Sequence, residues 1–333
     1  MNRKITISWV GTISPQKSGG RVYEDQVRNV LAKNAELDFV DSKSRYFKNR
    51  YLRTLESFFH FLKVKGKRDL WIRDIFSAAV PFSSNIKGKN LVIIHQLDFS
   101  GFPLISKPLL NLLQRTFFYP NLNKVDAIVT VSKYWENYLI KRGHKNIYTI
   151  HNSFNLSDFN ISEKEVIDFK KKYNLQGKPI VYLGNCQKAK GVKEAFLALK
   201  DLDIHLVTSG EEKVNIPAMN LSLEYADYLK LLKASSIVIA MSKFKEGWCR
   251  TAHEAMLLRS PVIGSGLGGM KELLEGGKQV VCKDFKNLRE KTEYLLNHPE
   301  LKEKMGEDGY SFTKEFTLEK FEKKWIDLVN KII

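Results

Sequence analysis

EGWCRTAHEAMLLRSPVIGSGLGG, residues 246–269, places two carboxylates, Glu246 and Glu254, eight residues apart at the start of a helical pattern. The pattern runs through Pro261 into a short apolar strand, Val262 to Gly264, and closes on the Gly268-Gly269 turn. Eight residues of α-helix rise about 12 Å and return to within about 80° of the starting face. Two acids so placed can grip both ends of an elongated ligand. The helix N-terminus, with free N–H groups and a positive dipole end, suits an anion at the ligand's middle. Sugar hydroxyls, a diphosphate and ribose hydroxyls follow one another in that way in a sugar nucleotide.

The helix-then-strand reading extends in both directions. Short apolar runs at 5–12, 91–95, 127–132 and 148–151 alternate with helical patterns in the first half. Runs at 180–184, 204–208, 237–241, 262–264 and 279–281 do so in the second. Continuous apolar runs of this length suit strands covered on both faces, as in a parallel sheet, and their alternation with helices predicts an α/β fold. A polar segment at 155–172 reads as a linker entering a helix, and the pattern restarts at Pro179. At 333 residues the chain exceeds one ordinary core. We therefore expect two doubly wound domains, with ligands in a cleft beyond the strand ends.

No run approaches the roughly 18 apolar residues of a membrane span. The start, MNRKITISWVGTIS, reads as a first core strand and not a signal peptide. Cys186, Cys249 and Cys282 are too scattered for a disulfide framework or a metal site, which points to a reducing cytoplasm. Asp201-Leu202-Asp203 resembles a metal motif but stands at the wrong end of a strand and reads as a turn. We expect neither a metal nor a cofactor.

Net charge is +17, and residues 1–160 hold 25 Lys and Arg against 12 Asp and Glu, a net of +13. The first half therefore meets something acidic, such as a phospholipid surface, a phosphorylated acceptor or nucleic acid, or is simply a solvated basic surface. Residues 43–73 carry ten Lys and Arg against Glu56 and Asp69, interleaved with Tyr46, Phe47, Tyr51, Phe58, Phe59, Phe61 and Trp71. On a helix this mixture suits an anionic membrane interface. It also fits a single-stranded nucleic acid, or a surface helix whose aromatics enter the core. Leu109, Leu110 and the aromatics to Phe118 add an apolar segment for an acceptor-side wall.

Further candidates follow strands. Gly19-Gly20 ends a loop after the first strand, where backbone N–H groups can approach a phosphate or sugar, or where the chain merely turns. Lys190-Gly191, with Lys188 close by, closes a second strand–loop unit and can neutralise a phosphate. Ser209-Gly210-Glu211 can meet a nucleobase edge or form a plain turn. His95, at the end of LVIIH, either donates a hydrogen bond to a reacting sugar or is structural. His253 is expected to pack or to face solvent.

With these residues assembled, the chain resembles the retaining GT-B glycosyltransferases of the GT4 (group 1) type. Glu246 and Glu254 form the family's E-x7-E pattern, within SKFKEGWC, HEAM, SPVI and GGMKEL. Lys190-Gly191 is similar to its Lys-Gly, Ile150 to Phe154 to its interdomain P-N-G segment, and Gly19-Gly20 to its N-terminal glycine loop. The resemblance implies two Rossmann-like domains, at 1–155 and 156–315, with residues 316–333 crossing back onto the first. It implies metal-independent transfer, with retention, from a nucleotide sugar held by the second domain to an acceptor held by the first. Glu246 would contact sugar hydroxyls, Glu254 the ribose and Lys190 the diphosphate. Backbone groups of Gly247, Trp248, Cys249 and Arg250 would assist, with His95 on the acceptor side.

The chain departs from the family in three places. Asn185 stands where an Arg clamps phosphate, Gly247-Trp248-Cys249 replaces G-F-G, and Ser153 replaces the P-N-G glycine. Lys188 or Arg250 would then take over the clamp. The basic first domain suggests a glycan or lipid-linked acceptor at the inner face of the cell membrane, with residues 43–73 as the peripheral contact and no nucleic acid partner. The rival readings are a nucleotide-sugar-modifying enzyme such as an epimerase, and a basic nucleic-acid-binding protein.

Overall fold

A computed structural model describes residues 4–11, 19–41, 46–47, 50–98, 100 and 107–333. The start of the first glycine loop, most of the 43–49 stretch and the side chains of Tyr51, Leu109 and Leu110 lie outside the described residues. The chain divides into two compact units, Met1–Asn152 with Glu319–Ile333, and Ser153–Leu318.

In the first unit the strands are β1 (Ile5–Gly11), β2 (Ala35–Asp41), β3 (Gly66–Arg73), β4 (Ile86–Ile94), β5 (Ala127–Thr130) and β6 (Ile147–Thr149). They form one parallel sheet in the order β2-β1-β3-β4-β5-β6. Leu91 to Ile94 and Ala127 to Val129 are fully buried, because helices cover both faces there. The second unit has β7 (Ile180–Asn185), β8 (His205–Ser209), β9 (Met219–Leu221), β10 (Ile237–Ala240), β11 (Val262–Gly264) and β12 (Val280–Val281). Their order is β12-β11-β10-β7-β8-β9, again parallel throughout. In each sheet the chain winds outward from its first strand, then returns to wind the other way. Ligands bind at such reversals, beyond the strands' carboxyl ends. In the second unit the reversal lies between β7 and β10.

The basic aromatic segment is corrected by the structure. Of its described residues, Arg50–Leu62 form a helix and Gly66–Arg73 is strand β3. Trp71 and Phe61 are core residues, and the Trp71 indole N–H donates to the Lys87 carbonyl at 3.1 Å. Phe47 and Phe59 are exposed. Asp201 and Asp203 stand in the turn before β8 and pair with Arg289 and Lys178.

The helix Leu318–Ile332 buries Phe321, Trp325, Leu328 and Val329, the stripe that 3.6-residue periodicity requires. Phe321 and Trp325 set their rings edge-on to Tyr23 at 5.2 and 6.3 Å. The Tyr23 hydroxyl donates to the Ile150 carbonyl at 2.9 Å. Among the described residues no helix is long and apolar enough to cross a membrane.

Candidate active site

The loop that leaves β7 makes a short 3-10 turn, Lys188–Lys190, and enters the helix Val192–Leu199 through Gly191. Gly191 has φ +72°, and a Cβ there would stand 2.4 Å from the Met241 carbonyl oxygen. Only glycine lets the two loops lie so close. The approach carries Lys190 to the segment that leaves β10, where its Nζ donates to Glu246 Oε1 at 2.5 Å. Ser242 Oγ donates to the same oxygen at 2.6 Å. Burial works against the Lys190 ammonium, but the Glu246 carboxylate and the Cys249 sulfur outweigh it, so the amine titrates above an ordinary lysine. Lys188 is exposed.

Glu246 is not on the helix, and the twelve-ångström helical spacing expected between the two acids does not apply. The helix spans Arg250–Leu257 and ends before Pro261. Glu246 instead bridges to Gly268: its N–H donates to the Leu267 carbonyl at 3.1 Å and its carbonyl accepts from Gly269 at 2.9 Å. Gly268 has φ +70°, and a Cβ there would meet the Glu246 oxygen at 2.4 Å. Gly247 and Trp248 form the loop to the helix, and Cys249 caps it in a left-handed conformation, φ 71°. That conformation costs a non-glycine residue about 1–2 kcal/mol. A single αL residue turns the chain so that the helix can start directly behind Glu246.

Glu254 is on the helix and 4% exposed. Tyr225 Oη and Arg250 Nη2 each reach its Oε1 at 3.3 Å, and Tyr228 Oη reaches Oε2 at 3.2 Å. These are long bonds, of the kind that tighten or exchange when a ligand arrives. Arg250 also lies 4.2 Å over the Phe154 ring, which fixes its guanidinium.

Trp248 and His253 turn inward. The Trp248 indole donates to His253 Nδ1 at 2.9 Å, which leaves the proton of this neutral imidazole on Nε2, 3.3 Å from the Thr313 carbonyl. His253 stacks on Phe154 with ring centroids 4.2 Å apart. The Trp248 side chain is thus a support for the helix start, and its backbone is what remains for a ligand. The Cys249 thiol is pushed up to about 12 by burial and by the Glu246 carboxylate.

Asn185 ends β7, and its side-chain nitrogen lies 2.5 Å from where a Cβ on Gly210 would be. Its Oδ1 is buried with no hydrogen-bond partner among the described residues. Gly210, at the end of β8, has φ +80° and donates its N–H to Leu221. In the first unit Gly19 and Gly20 open the helix Gly19–Asn34. A Cβ on Gly20 would stand 3.2 Å from the His95 ring, so the glycine clears space for the imidazole. His95 follows β4 directly, with Nε2 at 3.2 Å from Glu24 Oε1 and its ring edge-on to Tyr23.

Lys190, Glu246, Cys249, Arg250 and Glu254 therefore share one end of the β10–β7 pair, while Gly19, Gly20 and His95 share the corresponding end of the first sheet. Ser242, Tyr225, Tyr228 and Glu24 were not foreseen. Only their tertiary placement marks them; Tyr225 and Tyr228 carry at most a hint in their spacing of three on one helix face.

Two doubly wound parallel α/β units in one chain are the GT-B architecture. Residues 163–312 match the family of glycosyl transferases group 1. An uncharacterised glycosyltransferase of Methanocaldococcus jannaschii is 27% identical over 222 residues, covering 62% of this chain and 60% of that protein. Trehalose synthase of Thermococcus litoralis is 33% identical over 33% of this chain and 27% of its own length. The matches thus span less than two thirds of either relative. The crystal structure of Anabaena HepE with UDP-glucose shares the fold at a TM-score of 0.76 and 12% identity, covering 98% of this chain and all of that one.

Proposed function

We propose that the protein moves a sugar from a nucleotide-diphosphate sugar to an acceptor, with retention and without a metal. The observation that carries this reading is the part-buried Lys190–Glu246 pair at the β7–β10 reversal, beside the start of the helix that holds Glu254. A diphosphate arriving there meets the Lys190 ammonium and the positive dipole end of the helix, with Arg250 behind them. Glu246 is left facing sugar hydroxyls and Glu254 the ribose. Asn185 offers an orphan acceptor where the family's Arg would offer charge, so Lys190 and Arg250 carry the phosphate.

The glycosidic C–O bond to the diphosphate breaks as the acceptor oxygen bonds to the same face of the sugar carbon. The acceptor's proton passes to the leaving phosphate oxygen, and Lys190 stabilises the charge that grows there. His95 donates its Nε2–H to Glu24 and offers Nδ1 to accept a hydrogen bond from a substrate hydroxyl. Exposed Leu55, Phe59 and Phe47 on a net-basic first unit support a membrane-side, lipid-linked or glycan acceptor, at the cytoplasmic face.

A thermal-shift panel of UDP-, GDP- and ADP-sugars tests the reading. One base is expected to raise the melting temperature saturably, with the rise lost in Lys190→Ala. No stabilisation by any of them overturns it.

A further inference from the structure

The first unit holds a cavity of about 400 Å³ lined by Arg115, Tyr119, Pro120, Asn123, Arg142 and His144. Asn123 precedes β5, while Arg142 and His144 precede β6. The cavity therefore lies where the parallel strands begin, at the edge of the sheet opposite the strand ends that carry His95. It belongs to neither substrate position of the proposed transfer.

Its walls are cationic and pre-set. His144 is 6% exposed, and its Nδ1 stands 2.8 Å from Asn123 Oδ1, an oxygen that can only accept. The proton is thus on Nδ1, and Nε2 has no partner among the described residues. The ring stacks on Tyr119 at 5.9 Å. Arg142 lies 3.6 Å over the Tyr138 ring, spends one N–H on the Tyr138 carbonyl at 3.3 Å and another on the Tyr119 hydroxyl, and these contacts hold its guanidinium, which carries five N–H donors, at the cavity wall. Arg115 rises from a π-helical turn, Gln114–Phe118, a distortion often found at functional sites.

Among the described residues no carboxylate lines the cavity. The acids of the neighbouring elements are engaged elsewhere: Asp126 with Lys89 at 3.0 Å and the Asn90 amide at 2.8 Å, and Glu136 with Lys133 at 2.6 Å and Thr149 at 2.7 Å. Lys141 and Lys145 flank Arg142 and His144 in sequence and add to the field. Two guanidiniums match the charge of a phosphate, while burial and then Arg142 hold the His144 imidazole below its ordinary value, so its bare Nε2 accepts from the P–OH of a phosphate monoanion.

We propose that this cavity is a second, phosphoryl-binding site, which takes a phosphate monoester through Arg115, Arg142 and His144. The shared chemistry is a terminal phosphate, from a soluble phosphorylated molecule or from an anionic lipid headgroup.

The test uses the full chain, in wild type and in Arg115→Gln/Arg142→Gln, each also carrying Lys190→Ala so that the other phosphate-binding position is silent. Inorganic phosphate is titrated by calorimetry at fixed ionic strength. In parallel, the proteins are sedimented with phosphatidylcholine vesicles with and without phosphatidic acid. Saturable phosphate binding that falls about tenfold or more in the double variant supports a soluble ligand. Binding seen only with phosphatidic acid, and lost in the same variant, supports a lipid headgroup. Equal binding by both proteins, or no saturable binding in either arm, overturns the site. If the double variant melts early, Arg115→Gln alone gives the comparison, because Arg115 is exposed.

Discussion

Lys190 Nζ and Glu246 Oε1 stand 2.5 Å apart, with Glu246 only 9% and Lys190 31% exposed at the side chain, although 56 residues separate them. Breaking such a pair from one side strands a charge. Lys190→Met is expected to cost about 3 kcal/mol in urea unfolding, and Lys190→Met/Glu246→Leu to recover at least about 1 kcal/mol of it. Strictly additive costs would mean the pair is not coupled. Because Lys190 titrates above 10.5, its contribution is complete below that pH and fades only as pH climbs past the raised value.

Gly268→Ala tests the backbone that holds Glu246. Its Cβ would collide with the Glu246 carbonyl, so the carboxylate must shift. Turnover is expected to fall on the order of 100-fold, since displacements of about 1 Å have that effect. Circular dichroism should still show a folded chain. Unchanged turnover would detach Glu246 from the reaction.

Tyr228→Phe removes one of three donors to the Glu254 carboxylate. We expect a loss of about 1 kcal/mol in stability and a fall of about fivefold to tenfold in donor affinity by calorimetry. Tyr225→Phe, at an exposed ring, should weaken donor binding with a smaller effect on stability. Equal affinity in both variants would release Glu254 from the ligand.

His95→Ala is expected to lower turnover on the order of 100-fold while donor-induced thermal stabilisation stays intact. Glu24→Gln should give a smaller loss, because the imidazole keeps a hydrogen-bonding neighbour. A collapse of donor binding in His95→Ala would assign the histidine to the donor.

Cys249 makes stability sensitive to alkali. In the unfolded chain its thiol ionises near 9, whereas burial and then Glu246 hold it near 12 in the folded protein. The unfolded state therefore releases a proton first, and stability falls between those values by up to about 1.4 kcal/mol per pH unit. Cys249→Ala should flatten the curve between pH 9 and 10 in urea titrations. An unchanged slope would show the thiol ionising alike in both states.

What the sequence disclosed follows from burial. Strands covered on both faces, such as Leu91 to Ile94 and β10, are unbroken apolar runs and were read directly. β2 escaped notice because it is an edge strand carrying Glu36, Asp38 and Asp41. β3 did so because its first half, Gly66 to Asp69, is charged, with Asp69 capping the Thr6 amide at 2.8 Å. β9 is only three residues long. At the site, Lys190, Glu246 and Glu254 were visible as spacing. The helix start was misplaced by four residues because nothing local reveals that Cys249 adopts positive φ. Tyr225, Tyr228, Ser242 and Glu24 reach their carboxylates or imidazole only through the fold.

The helix that places Phe321 and Trp325 against Tyr23 also orders events during synthesis. Residues 319–333 leave the ribosome after every residue of the second unit, Ser153–Leu318, has been made. The second unit is contiguous and can close its core as it emerges. The first, begun earlier, must wait with the Tyr23 face uncovered until its final helix arrives, so the half begun first is the half completed last.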